Sequence, residues 1–176
     1  FEGVDIQVIP NGIDTSLYSP YENTVAKEDL KLNSDSSKIL FGAANIDNQR
    51  KGAGHLFSAI RNLHQRISDF ELVLFGTSES GVPDDLVSYT RNLGRITDEQ
   101  LRRLYSAADV YVVPSLEDNL PNTVMESMAA GTPVVGYDTG GIGDMIEHAQ
   151  TGYLAEHGDI DDLADGIAWV LDEPDK

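Results

Sequence analysis

From residue 38 onward the chain alternates two kinds of apolar pattern. KILFGA (38–43), ELVLFG (71–76), DVYVVPS (109–115), TPVVGY (132–137) and GYLA (152–155) are short runs with neighbouring apolar residues. Runs that do not alternate with polar residues predict strands buried on both faces. Between them the apolar residues return at helical spacing. Leu56, Ile60, Leu63 and Ile67 predict a helix over 53–67, and Leu101, Leu104, Tyr105 and Ala108 mark the face of a second. The stretch 121–130 predicts a third, and Leu163, Ile167, Val170 and Leu171 the face of a last. Thr97-Asp-Glu-Gln has the form of a capping box ahead of the second helix, and Asp159 stands where the last one needs an N-cap. VSYTRNLG (87–94) reads as a further strand and 143–149 as a short helix.

Strands alternating with helices predict an α/β fold: a doubly wound, Rossmann-like parallel sheet of about six strands with helices on both faces. The first part of the chain follows another pattern. IQVI (6–9) is a short apolar run stopped by Pro10, Asn11 and Gly12, and Thr15 to Ser37 is polar and weakly periodic. Residues 15–37 therefore read as a linker or surface excursion, and 38–176 as the folded domain.

Ligands of such sheets bind beyond the carboxyl ends of the strands, which directs attention to the loops 42–52, 76–83, 94–97, 114–122 and 137–144. The segment SLEDNLPNTVMESMAAGTPVV (115–135) is the most informative. Pro121 suits a first helical turn, and the N–H groups of Asn122 and Thr123 then point out of the helix start. A helix start favours an anion by about 0.3–1 kcal/mol per charge. Asp118 in the loop and Glu126 one turn behind Asn122 add acceptors that suit hydroxyl groups. Phosphate donors flanked by hydroxyl-binding carboxylates describe a sugar nucleotide better than a bare phosphate. The competing reading is that Asp118 and Asn119 only cap the helix and Glu126 is a surface acid. Arg50 and Lys51 bring positive charge to the end of a strand-following loop, just before Gly52. They suit an anionic ligand, although solvated surface cations would look the same.

Composition narrows the partners. Thirty acids against 12 Lys plus Arg give a formal charge of −18, which argues against nucleic acid and against anionic membranes. The chain has no cysteine, so disulfides and thiolate metal sites are excluded. No apolar run approaches the roughly 18 residues of a membrane span. Direct membrane insertion is therefore not expected, and a cytoplasmic setting fits. TGGIGD (139–144) is a glycine-rich turn that would let backbone approach a ligand closely, but it is neither a dinucleotide fingerprint nor a phosphate loop. His55, His64, His148 and His157 show no zinc spacing, Asp159-Ile-Asp161 suits a helix start, and Ser115 lies in no nucleophile elbow.

Taken in order, VIPNGIDTSLYSP (8–20), RKG (50–52), LGRITDEQLRRLYSAADVYVVPS (93–115), ESMAAGTPVVGYDTGG (126–141) and TGYLAEHGD (151–159) resemble one family. It is the C-terminal, donor-binding half of the family-four glycosyltransferases of GT-B fold, which are retaining and metal-independent. Two acids separated by seven residues form the signature of that family, which Asp118 and Glu126 fit. The resemblance implies that residues 1–37 are an inter-domain lead-in and linker. It also implies that Asp118 holds a hydroxyl of the donor sugar and Glu126 the ribose hydroxyls. Lys51 would bind the diphosphate and stabilise the charge developing on the leaving group. Arg50, Asn119, Leu120, Asn122 and Thr123 would line the same site, and the backbone at Arg95 and Ile96 would border the base.

Three departures from the family accompany this. The first acid is usually Glu rather than Asp118, Pro121 stands where Gly is common, and Ala43 replaces an Arg that usually follows the first strand's glycine.

The resemblance further implies that a hexose-type sugar moves from a nucleotide diphosphate donor, UDP- or GDP-linked, to an acceptor such as a growing glycan or glycolipid. No separate cofactor is implied. The acceptor would sit on an N-terminal domain that this sequence does not contain, so the chain alone is expected to bind nucleotide without transferring sugar. A longer protein could work at the inner membrane face as a peripheral enzyme of polysaccharide biosynthesis. Two alternatives stay open, a non-catalytic nucleotide-binding module and half of a sugar-nucleotide epimerase.

Overall fold

The computed structural model describes residues 11–172. The apolar run 6–9 and the start of the 8–20 motif lie outside the described residues. Six strands form a single all-parallel sheet: β1 (Ser37–Asn45), β2 (Phe70–Thr77), β3 (Thr90–Asn92), β4 (Val110–Val113), β5 (Val134–Tyr137) and β6 (Gly152–Ala155). Their order in the sheet is β3-β2-β1-β4-β5-β6. Around them lie α1 (Asn23–Asp29), α2 (Ala53–His64), α3 (Asp98–Ala107), α4 (Asn122–Ala129) and α5 (Ile160–Asp172). This is the Rossmann-like α/β architecture that the sequence pattern predicts.

The consecutive apolar positions are explained by the two faces. Successive side chains of a strand point to opposite sides. In β1, Ile39 and Phe41 meet Leu56, Ile60 and Leu63 of α2 and Leu163 and Ile167 of α5. Leu40 between them points the other way, into a second core with Leu104 and Tyr105 of α3 and Val124 of α4. Both cores are needed, because a parallel sheet joined by crossover helices must be covered on each side.

β1 runs on to β2 on one side of the sheet, whereas β4 and β5 lie on the other. The connections from β1 and from β4 therefore leave toward opposite edges of the sheet, and the crevice outside the carboxyl ends of these two strands is the switch point at which such sheets take ligands.

Four expectations need correction. The stretch 15–37 is more than the linker or surface excursion its composition predicts. It contains α1, whose Ala26 is buried in the second core, and whose Lys27 ammonium reaches Asp109 at 3.1 Å. At two turns the helix is too short for its periodicity to be read. VSYTRNLG is a 3₁₀ turn over Asp84–Tyr89 followed by only three residues of strand. Residues 143–149 form turns, not a helix, because Ala149 has a positive φ of 60° and His148 pairs with Gly152 in a β-bridge. The helix predicted over 53–67 ends at His64, with a turn bonding Ile67 N–H to the Leu63 carbonyl.

Candidate functional site

The loop after β1 is shaped by short-range chemistry. Asn48 caps a 3₁₀ turn over Gln49–Lys51, its side-chain oxygen accepting from the Arg50 N–H at 3.1 Å. Gly52 then turns the chain into α2 with φ of 72°, a left-handed conformation that suits glycine. A Cβ there would also overlap the Pro114 carbonyl. This close approach brings the loop against the one that follows β4, and the Leu116 N–H donates to the Arg50 carbonyl at 2.8 Å.

Two charged side chains meet across that seam. Lys51 Nζ lies 2.6 Å from Asp118 Oδ2, with the carboxylate side chain 13% exposed and the lysine 36%. The Ser115 hydroxyl, itself buried, donates to the same oxygen at 3.3 Å. A carboxylate has about four acceptor positions, so Asp118 retains capacity for a ligand hydroxyl.

Glu126 is held from the far side. The phenol of Tyr105, fully buried in α3, donates to Glu126 Oε2 at 2.9 Å. Burial pushes the Tyr105 hydroxyl upward, the nearby Tyr111 and the Glu126 charge adding to this, so it stays a donor. Tyr18 is also raised, by burial and then by the charge of Glu126, which places the lead-in segment beside this acid.

The helix bearing Glu126 starts one residue later than expected. Pro121 is the N-cap of α4, with extended backbone, rather than a residue of its first turn. Asn122 and Thr123 are the first helical residues, so their N–H groups lack intrahelical partners. The Asn122 side chain is exposed and accepts from Asn11 at 3.3 Å, whereas the Thr123 hydroxyl turns inward to Tyr111.

The glycine turn 139–144 packs beside this helix start. Its close approach is to the backbone of the acid loop. Gly140 has φ of 52°, and a Cβ on it would overlap the Asp118 carbonyl. The Gly141 N–H donates to the Asn119 carbonyl at 2.7 Å, and a Cβ there would crowd Leu120.

Other predicted residues lie further out. Arg50 is exposed, and no side-chain partner is found for it among the described residues. Arg95 is exposed and Ile96 packs on the second core, both just beyond β3. β3 is two strands from β1, roughly 10 Å by strand spacing, which a nucleotide can span.

Sequence reasoning did not find Tyr105 or Ser115 as site residues. Tyr105 sat on an apolar stripe and read as core. Its hydroxyl was the available signal, since a phenol inside a core needs a polar partner. Ser115 lies in no nucleophile elbow, and its hydroxyl instead orients an acid.

With this geometry in view, the likeness to known proteins is specific. The family described as "Glycosyl transferases group 1" matches residues 37–173. D-inositol 3-phosphate glycosyltransferase of Pseudarthrobacter chlorophenolicus is 31% identical over 183 residues, covering 96% of this chain and 42% of the relative. The chain thus spans less than half the length of that curated relative.

Among solved structures, sucrose-phosphate synthase from Thermosynechococcus elongatus superposes with a TM-score of 0.80 at 28% identity, covering 96% of this chain and 44% of that one. Anabaena HepE in complex with UDP and glucose superposes with a TM-score of 0.78 at 23% identity, covering 95% of this chain and 47% of that one. The sheet order, the family match and the relative at 31% identity agree, and this chain belongs to the group 1 glycosyl transferases, a family of enzymes.

Proposed function

We propose that this chain is the donor-binding half of a GT-B glycosyltransferase that moves a hexose-type sugar from a nucleotide diphosphate sugar with retention of configuration. The observation that carries the reading is the contact of Lys51 with Asp118 at 2.6 Å, at the switch point between β1 and β4. A diphosphate placed there takes Lys51 as its counter-ion, and Asp118 turns to a sugar hydroxyl. Lys51 then offsets the negative charge that develops on the nucleoside diphosphate as the glycosidic bond breaks. Glu126, braced by Tyr105, accepts from the ribose hydroxyls. The N–H groups opening α4 lie beside the phosphates, and the base reaches toward Arg95 and Ile96. HepE, a fold neighbour of this chain, is described with UDP and glucose, which supports a donor of this chemical type.

The acceptor and the rest of the catalytic cleft belong to a second domain in this reading, and the residues of this chain bind the donor. Calorimetric titration with UDP, GDP, ADP and their sugar conjugates tests it, on the wild type and on Lys51→Ala. The expected result is binding of at least one nucleotide, weakened about tenfold or more in the variant, since a charge-assisted contact is worth about 1.5–3 kcal/mol. Unchanged affinity would remove Lys51 from the diphosphate site.

A further inference from the structure

We propose that His157 is a positioning residue for Asp118, acting through the carbonyl of Leu116. The inference rests on the donor-binding reading given above. His157 lies in the turn between β6 and α5, far in sequence from the acid loop, yet its Nε2 is 3.0 Å from the Leu116 carbonyl oxygen. A carbonyl only accepts, so Nε2 carries the proton and donates.

The turn that presents the ring is itself fixed. The Asp159 N–H donates to the Glu156 carbonyl at 2.9 Å, and the Glu156 N–H donates to Asp162 Oδ2 at 2.7 Å. The ring also stands edge-on to Tyr137, with centroids 6.0 Å apart. Tyr137 is fully buried, and its hydroxyl is 2.9 Å from His55 Nδ1. His157 is therefore held from behind while it holds the loop in front.

Leu116 is the hinge of this arrangement. Its N–H donates to Arg50 in the loop after β1, and its carbonyl receives His157, with the Thr139 hydroxyl further away at 3.4 Å. Both polar groups of one residue are thus tied to different elements, and Asp118 follows two residues later. The loop that presents Lys51 has its own supports in Asn48 and Gly52. Loss of the His157 bond accordingly loosens the sugar-facing acid and leaves the phosphate-facing lysine in place. Because His157 is exposed, its replacement disturbs little packing.

The test is calorimetry on the 176-residue chain with UDP, UDP-glucose, GDP and GDP-mannose, for the wild type, His157→Phe and His157→Gln. Phe keeps the ring against Tyr137 and removes the donor. Gln restores an amide N–H at about the reach of Nε2. The expected result is a loss of about fivefold for the sugar conjugate in His157→Phe, and of less than about twofold for the bare nucleotide. His157→Gln should recover most of the affinity, with thermal unfolding of both variants close to that of the wild type. Equal losses for nucleotide and conjugate, or no recovery with Gln, overturn the positioning role and leave the donor-binding reading intact. A wild-type chain that binds none of the four ligands, nor ADP or its sugar conjugates, overturns that reading itself.

Discussion

Removing both members of the Lys51–Asp118 pair should destabilise the chain by less than the two single losses add up to. At 2.6 Å and an effective dielectric of about 20, the gross attraction is roughly 6 kcal/mol. Desolvation and the ordering of the lysine stem offset most of it, since Lys51 remains about one-third exposed. A net coupling of about 1–2 kcal/mol is left, larger than for a fully solvated pair because the carboxylate is mostly shielded. Lys51→Met leaves Asp118 with Ser115 alone, so the single variant should lose about 1–2 kcal/mol. In a chain of this size that lowers Tm by about 2–8 °C.

Asp118→Asn should lose a similar amount, because an ammonium then faces an amide. The double variant should be more stable than the sum of the two losses predicts. Urea denaturation of the four proteins, analysed as a double-mutant cycle, measures the coupling directly. Strictly additive losses, with coupling below about 0.3 kcal/mol, would refute the reasoning, because the pair would then be a contact without energetic weight.

Tyr105→Phe removes the donor to Glu126 and nothing else. It should reduce stability by about 1–1.5 kcal/mol in urea denaturation and weaken nucleotide binding severalfold by calorimetry. Gly140→Ala should destabilise by about 2–5 kcal/mol, through left-handed strain plus overlap with the Asp118 carbonyl. Gly81→Ala is the matched control. Its φ is also positive, but the space around it is open, so only the strain of about 1–2 kcal/mol should appear in thermal melts.

Stability should also fall in alkali. Tyr153 donates to Asp162 at 2.7 Å, and this bond, with burial second, pushes its hydroxyl up to about 12 from 10.0. A folded-state pKa above the unfolded value means the unfolded chain gives up its proton first. The contribution is whole below pH 10 and disappears as the pH rises toward 12. Tyr153→Phe should make the decline in Tm across that window shallower, and an unchanged slope would show that Tyr153 does not contribute.

The strands and long helices were legible because their apolar residues satisfy a local geometric rule. Ile39, Leu40 and Phe41 must lie on alternate faces of any strand they form, so a continuous apolar run demands cover on both sides. The capping box at Thr97 was equally local, and both of its reciprocal bonds are present. What failed to be legible depended on contacts distant in sequence. α1 persists because Ala26 enters a core and Lys27 reaches Asp109. The strand at 87–94 shrank to Thr90–Asn92, which pairs only with β2 at the edge of the sheet.

The candidate site divides in the same way. The sequence alone determined that acids and cations lie at strand ends, because loop position and residue type are local properties. It singled out Lys51, Asp118 and Glu126 without saying which of them touch. Only the tertiary structure decided that Lys51 and Asp118 share a proton-bearing contact across two loops. It also decided that Glu126 is held by a core tyrosine, and that Gly140 and His157 brace the loop from behind. These residues come from five segments, the stretches after β1, β4, β5 and β6 and the helix α3 after β3. No periodicity along the chain records them, because the sheet order that brings them together is set by how the cores pack, not by neighbours in sequence.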